Sequence, residues 1–386
     1  MDLKSIIDTR RREEPDLFLF ITVFLMVGMG LAMSYSASAN YALNTFNDPF
    51  YFLKRQFIWC VVGFAALLLF QQIDYRIYIR HTRVMLIVCF VLLIAVFIPG
   101  IGKSVKGSMR WIGFGIISLQ PSEIAKIVVV MYLAKVFSSE DDGVANHVIQ
   151  LLIPMLVVGV MFMIILMQPN FGTGIDILAV SVMILFVSGF PIVYILTLFI
   201  LSIPMFYLLI YQVGYRRNRL LAYIDPWKDR FGIGYHIVQS FIAFKKGGLL
   251  GTGLGYGTQK LKRLPEPHTD FIFAVIAEEA GMLGTVFVLI IFGVFFWRGM
   301  IVSLNAPDEF GRLLSVGITL LIVVQAFINI GVVSGSLPTT GIPLPFISYG
   351  GSSLVANMIA VGILMNISKY REVVPEELKL TEGVWK

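Results

Sequence analysis

The sequence predicts an all-α polytopic membrane protein: ten transmembrane helices, with a long extracytoplasmic loop between spans seven and eight. Three observations predict it. Apolar residues make up 57% of the chain and charged residues 14%, against about a quarter charged in soluble domains. The mean hydropathy is +0.83. The apolar residues fall in continuous runs of membrane-span length, where barrel strands would alternate.

Residues 1–16 are polar and carry Arg10, Arg11 and Arg12 just before the first apolar run, 17–36. That run exceeds a signal-peptide core and is read as an uncleaved span with a cytoplasmic N-terminus. Further spans are expected over 57–70, 84–99, 122–137, 148–167, 172–189, 191–211, 271–297, 313–333 and 347–367. An even number returns both termini to one side. The membrane domain is then 17–367, including the outer loop 212–270, and 368–386 is a cytoplasmic tail. Cys60 and Cys89 lie inside apolar runs and imply no disulfide framework. His81, His147, His236 and His268 show no metal-ligand spacing.

Charge supports this orientation, with one exception that carries information. Arg76, Arg80, Arg83, Arg298, Arg312, Lys369 and Arg371 fall on the inner side. Yet the outer connections hold Lys54, Arg55, Lys103, Lys106 and Arg110, and the 212–270 loop is rich in Lys and Arg from Arg216 to Arg263. Positive charge on a translocated face suits an anionic ligand such as phosphate, pyrophosphate or a lipid headgroup. Generic attraction to anionic lipid is the plainer alternative.

Polar residues inside the apolar runs mark the candidate site. In 264–279, LPEPHTDFIFAVIAEE, Pro265 and Pro267 delay the helix, and Thr269 or Asp270 is the expected N-cap. Glu278 and Glu279 follow inside the helix. A charge there costs roughly 2.5–3.5 kcal/mol on insertion scales, so each is functional or faces a packed polar neighbour. Glu123 and Lys126, three apart at the start of span four, share a helix face. They either orient a ligand or lock packing. Asp176 has no cationic neighbour in sequence.

In the long loop, residues 235–244 place Ile237, Val238, Phe241, Ile242 and Phe244 on one side of a helix. Lys245, Lys246, Gly247 and Gly248 close it. It reads as a helix lying in the membrane interface. The glycine run 251–257 follows no strand and is no nucleotide loop. It reads as a flexible or closely packed outer loop whose backbone a ligand can approach. The stretch 337–353, LPTTGIPLPFISYGGSS, is mostly non-helical, so at membrane depth it must be buried in protein or line an aqueous cavity. Its Ser348, Gly350, Gly351, Ser352 and Ser353 offer donors to an anion, or the stretch is a packing kink.

Together, LPEPHTDFIFAVIAEE, the Arg110–Lys126 run with RWI and QPSEIAK, and PLPFISYGGSS from Pro343 to Ser353 resemble the SEDS family (shape, elongation, division and sporulation). The similarity covers nearly the whole chain, in register. Gly253-Leu254-Gly255, Gln259-Lys260-Leu261 and Leu264-Pro265-Glu266 look more like its division and sporulation branch than its elongation branch. The family's QPDxGT reads here Gln168-Pro169-Asn170-Phe171-Gly172-Thr173, without the carboxylate.

The resemblance implies a peptidoglycan glycosyltransferase of the bacterial cytoplasmic membrane. Such an enzyme polymerises lipid II, an undecaprenyl-pyrophosphate disaccharide-pentapeptide, on the outer face. It implies Asp270 as catalytic base or as ligand of a divalent cation, Mg or Mn, with no organic cofactor. It also implies a class B penicillin-binding protein (a transpeptidase) as partner, with other division or elongation membrane proteins and no nucleic acid. Arg55, Lys103, Arg110, Trp111, Glu123, Lys126, His268, Ser348 and Ser352 are the candidate substrate-binding residues. A lipid II flippase and a non-enzymatic transpeptidase scaffold are the alternatives. The sequence holds no evident inverted repeat, and its polar motifs cluster toward one face, which favours surface catalysis.

Overall fold

The computed structural model describes residues 14–105, 108–114, 117–138, 144–260 and 267–370. Arg10, Arg11, Arg12, Lys106, Lys262, Arg263, the 264–266 approach to the HTDF residues and the tail from Arg371 lie outside the described residues.

Twelve described helices and one small sheet follow in order: α1 (Leu17–Phe46), α2 (Tyr51–Phe70), α3 (Ile77–Ala95), β1 (Gly102–Val105), β2 (Ser108–Phe114), β3 (Ile117–Leu119), α4 (Pro121–Phe137), α5 (Val144–Met167), α6 (Phe171–Val187), α7 (Ile192–Tyr211), α8 (Gly214–Ile224), α9 (Tyr235–Gly247), α10 (Ile272–Leu304), α11 (Glu309–Val333) and α12 (Gly351–Ile367). Among the described residues, α1, α2, α3, α7, α10 and α11 are long and apolar enough to cross a bilayer, while α6, α12 and Leu151–Met167 are shorter apolar helices. The ten expected segments fall on ten separate helices.

Some boundaries differ from expectation. α1 runs on to Phe46 and α2 starts at Tyr51, so Lys54 and Arg55 ride on a helix rather than a loop. The connection between α3 and α4 is an antiparallel sheet in the order β1-β2-β3, which corrects the all-α reading. Lys103 pairs with Trp111, and Ile112 is buried. Strands this short leave too little alternation to stand out between long apolar runs. The long loop also contains α8, which its basic sequence did not announce.

Contacts at the helix ends sort the bundle into two poles. Asp16 caps α1 through Leu19 N–H (3.0 Å) and accepts from Arg298 near the end of α10. Its own N–H donates to Ser368 Oγ just past α12 (3.0 Å). Arg76, between α2 and α3, pairs with Asp308, between α10 and α11, at 3.2 Å. At the other pole, Ser352 at the start of α12 donates to Ser118 of β3, and Arg219 of α8 donates to the Thr339 and Thr340 carbonyls.

The α9 helix forms where expected, with Lys245 and Lys246 in its last turn. Part of its apolar face is covered by protein. Ile237 and Val238 are buried, with α10 and α11 packed against the helix, while Phe241, Ile242 and Phe244 are half-buried. Ser240 Oγ donates to Val333 O at 2.5 Å. Sequence shows an apolar face but not which neighbours share it.

The half of the fold that carries the glycine loop turns on a break in α10. Gly281 has φ 64° and ψ −157°, which interrupts the helix. The glycine loop inserts at that break: Thr252 N–H donates to Glu278 O (2.9 Å), Gly253 N–H to Glu279 O (3.0 Å), and Met282 N–H to Gly248 O (2.9 Å). The buried Glu278 carboxylate accepts from the N–H groups of Thr258 (2.9 Å) and Gln259 (3.0 Å). The Glu279 carboxylate accepts from Lys260 Nζ (2.5 Å), Ser36 Oγ (2.7 Å) and Gly255 N–H (3.1 Å). Both glutamates therefore face packed polar neighbours, and the glycine loop is closely packed rather than flexible.

Gly281→Ala would force a side chain into positive φ and drive its Cβ into the Gly251 N–H. Backbone strain alone should cost about 1–3 kcal/mol. Gly293, in the same helix, has nothing within 4 Å of an added Cβ. Gly293→Ala should instead gain up to about 1 kcal/mol of helix propensity. Thermal unfolding of the purified protein compares the two, and equal melting temperatures would show that the break carries no strain.

Candidate functional site

The site begins with a backbone that is not helical. α10 starts at Ile272 with Phe271 in the N-cap position and no side-chain cap. Neither Thr269 nor Asp270 caps it, which corrects that expectation. The amides of α11 hold this backbone: Asn329 Nδ2 donates to Asp270 O (2.9 Å) and Ile342 O (2.7 Å), and Gln325 Nε2 to Pro343 O (3.0 Å). Ser348 Oγ donates to Thr269 O (2.6 Å) and accepts from Leu344 N–H (2.8 Å). Tyr349 N–H donates to His268 O at 2.8 Å. Irregular backbone at depth is thus satisfied by buried amides and hydroxyls, the condition under which it is tolerated.

Asp270 faces two cavities. One, of about 450 Å³, is lined by Tyr215, Asn218 and Arg219 of α8, Asp229, Gly232, Ile233, His236 of α9, Phe271, Val332, Thr339 and Ile342. The other, of about 210 Å³, is lined by Arg110 and Trp111 of β2, Gln120, Glu123, Asn170, Thr173, Thr269, Pro343, Tyr349, Gly350 and Ser353. Asp270 and Gly341 belong to both linings. Gly341 has φ +79°, and a Cβ there would lie 3.5 Å from Asp270 Oδ2.

Arg110 reaches the smaller cavity from the sheet. Its guanidinium donates to the Gln168 carbonyl (3.2 Å) and to the Pro169 carbonyl. Burial pulls its pKa below the ordinary arginine value; Arg219 adds to that effect, while Tyr215 and Asp270 oppose it. Asn170 stands where the family has a carboxylate. Its Nδ2 donates to Ser122 Oγ (3.1 Å), and its Oδ1 accepts from Thr173 Oγ1 (3.0 Å).

Beneath that cavity lies a buried charge cluster. Lys126 Nζ is 3.0 Å from Glu123, 3.8 Å from Asp176 and 2.6 Å from Gln325 Oε1. The Glu123–Lys126 pair expected from spacing forms, and the partner of Asp176 is Lys126. One ammonium thus serves two carboxylates on different helices. Glu123 alone of the three lines the cavity.

Of the sequence-derived candidates, Asp270, Arg110, Trp111 and Glu123 converge on one cavity. The others surround it. Arg55 lies 4.5 Å over the Tyr51 ring and beside Tyr349. His268 is buried among Phe52 (4.6 Å), Tyr349 (5.6 Å) and Tyr41 (6.2 Å). Lys103 crosses Gly113, where an added Cβ would collide with it. Ser348 and Ser352 commit their hydroxyls to backbone carbonyls of Thr269 and Ser118, while Ser353 and Gly350 line the cavity. Sequence reading missed Arg219, His236, Tyr349, Gln325 and Asn329. Gln325 and Asn329 did carry a signal: two amides four apart in an apolar helix share a face and need partners.

Among the described residues no three His, Cys, Asp or Glu side chains gather as a metal site. A Mg-type ion needs only one or two carboxylates, with water and substrate phosphates completing its shell. Asp270, beside the Asn170 amide on a cavity wall, fits that demand.

A family model for cell cycle proteins, FtsW, RodA and SpoVE, matches residues 16–373. The chain is 43% identical over 368 residues to the probable peptidoglycan glycosyltransferase FtsW of Geobacter metallireducens, covering 95% of this chain and 98% of that one. It is 41% identical over 362 residues to stage V sporulation protein E of Bacillus subtilis, covering 94% and 99%. Its fold matches a chain from a peptidoglycan synthase complex, described as coordinating polymerization and crosslinking, with a TM-score of 0.76 and 26% identity over 92% of this chain and 97% of that one.

Exchanging the charges, Glu123→Lys with Lys126→Glu, would rescue an isolated pair. Here it sets a second carboxylate beside Asp176 and removes the donor to Gln325. The double variant should melt no higher than the worse single variant. Recovery of most of the lost stability would mean that Asp176 does not draw on Lys126.

Proposed function

Because the chain belongs to the FtsW, RodA and SpoVE family of cell cycle proteins, we propose that it is a peptidoglycan glycosyltransferase that polymerises lipid II for division or related wall synthesis. It sits in the bacterial cytoplasmic membrane, crosses it ten times with both termini inside, and carries the 212–270 loop and both cavities outside. The two poles of the bundle support this: the start of α1 and the ends of α10 and α12 meet at one of them.

Asp270 carries the reading. Phe271, not Asp270, occupies the N-cap position of α10, and Asp270 lines both cavities, as transfer between two substrates requires. The growing glycan is the donor, its anomeric carbon activated by undecaprenyl pyrophosphate. A sugar hydroxyl of incoming lipid II attacks that carbon while Asp270 takes the hydroxyl proton. The anomeric C–O bond breaks, and the pyrophosphate leaves with the electron pair. A free aspartate, with pKa about 3.9, is a weak base, and general-base positioning contributes about 10²–10⁴-fold.

Orientation and charge on the leaving group supply the remainder. Arg110, with Arg55 and Lys103 around it, is placed for the pyrophosphate, and Trp111 lines the same wall. In the alternative role, Asp270 would hold a divalent ion, Mg or Mn, in place of acting as base, and the ion would offset pyrophosphate charge. Lys126 holds Glu123 at the cavity edge, His268 and Ser348 hold the backbone around Asp270, and Ser352 ties the start of α12 to the Ser118 carbonyl of β3. The partner is a class B penicillin-binding protein that crosslinks the new strands, a reading supported by the likeness to a chain of a synthase complex.

Asp270→Asn keeps size and hydrogen bonding but removes the charge. Purified with its transpeptidase partner and labelled lipid II, it should fold, bind the partner and lose at least about 10²-fold in glycan synthesis. Activity within a few-fold of wild type would remove Asp270 from catalysis. Lys245, exposed on α9, tests the orientation. A cysteine there should react with an impermeant reagent added to intact cells, and labelling only after lysis would reverse the topology.

A further inference from the structure

The larger cavity has no role in the chemistry above beyond its shared wall. Its volume, about 450 Å³, lies in the range of pockets that enclose small organic ligands, whereas the 210 Å³ cavity lies below it. Each cavity is lined by one arginine bonded to two backbone carbonyls, Arg110 in the smaller and Arg219 in the larger. In the larger cavity Asp229 accepts from Gly232 and Ile233 N–H groups (both 3.0 Å). The rest of its lining includes Tyr215, Asn218 and His236, with Phe271 and Ile342 as apolar surface. Neutral donors and acceptors beside apolar faces match a sugar, whose hydroxyls and amide alternate with C–H surfaces.

His236 is the side chain most exposed to an unmet demand. Its Nδ1 is buried without a hydrogen-bond partner among the described residues, a condition that costs roughly 1–3 kcal/mol until a ligand relieves it. Its ring stacks on Phe271 at 5.5 Å, next in sequence to Asp270. Burial, then Arg219, pushes its pKa below the ordinary histidine value, so the imidazole is neutral at neutral pH and can accept as well as donate.

We infer that the larger cavity is the subsite for the incoming acceptor sugar, and that His236 hydrogen-bonds that sugar and presents its hydroxyl to Asp270. The inference rests on the glycosyltransferase reading. It divides the site: acceptor sugar on the α8–α9 side, donor pyrophosphate on the sheet side, Asp270 between. His236 touches substrate but takes no proton in the transfer.

The test uses the full-length protein with its partner, lipid II titrated over a wide range, and glycan chain length read from the same reactions. A neutral hydrogen bond contributes about 0.5–1.5 kcal/mol, so His236→Ala should raise the lipid II concentration for half-maximal rate by up to about tenfold. Its kcat should stay within about twofold, because uniform binding is lost. Chain length at saturating lipid II should not change, since the donor side is untouched, and His236→Asn should recover part of the loss. Arg110→Gln, on the donor side, should shorten chains instead. If His236→Ala fails to fold, Asn218→Ala, on an exposed position of α8, should raise KM in the same way. An unchanged KM, or shortened chains in the His236 and Asn218 variants, overturns the inference alone. A wild-type protein that forms no polymer overturns the proposed function and the inference with it.

Discussion

Two buried glutamates and the break beside them set the half of this molecule that carries Asp270. Glu278 and Glu279 sit at 0% and 1% exposure in an otherwise apolar stretch of α10. An unpartnered charge in such surroundings is costly, and breaking a buried pair costs about 3–5 kcal/mol. The glycine loop provides the partners, and Gly281 opens the helix so that the loop can enter. Glycine is required on both sides of that contact. Gly247 and Gly251 pass against the carbonyls of Ala277 and Glu279, and a side chain at either would collide. Once the loop is docked, α9 lies along α10 and α11, and His236 stands beside Phe271. The first turn of α10 then emerges at the cavity wall with Asp270 at its start.

A second set of polar residues solves the same problem for the backbone. Gln325 and Asn329 of α11 and Gln56 of α2 bond carbonyl and N–H groups of the irregular 338–350 stretch and of the segment before α10. Gly30 of α1 lets this stretch approach closely, since a Cβ there would press on the Phe346 carbonyl at 2.5 Å. Asn329 fixes the Asp270 carbonyl, and Asp270 lines both cavities. The backbone on either side of Asp270 thus depends on amides of another helix.

Asn170 fits into this economy of charge. Lys126 is the nearest cation to both Glu123 and Asp176, so the cluster below the smaller cavity already holds more negative than positive charge. A neutral amide at 170 adds none, and it does what a carboxylate could not: it donates to Ser122 Oγ while accepting from Thr173. The departure from the family's QPDxGT pattern therefore leaves the cavity wall intact.

Much of the fold was legible in the sequence because helices of span length and their charges are local properties. Apolar runs located the long helices, the 3.6-residue period located α9, and the spacing of Glu123 and Lys126 announced their pair. The need to bury or hydrate 337–353 followed from backbone chemistry alone. The sequence by itself thus determined where the long apolar helices lie and which polar groups had to find partners. Only the tertiary structure decided who those partners were. Lys126 with Asp176, Glu279 with Lys260 and Ser36, and Asn329 with the Asp270 carbonyl join residues far apart in the chain. No periodicity records such contacts. The sheet escaped notice because its strands are short, and the two cavities because each is assembled from several elements. That Phe271 rather than Asp270 holds the N-cap position of α10 was likewise decided by the tertiary structure, since a local pattern fixes an element's own geometry while its surroundings belong to the packing.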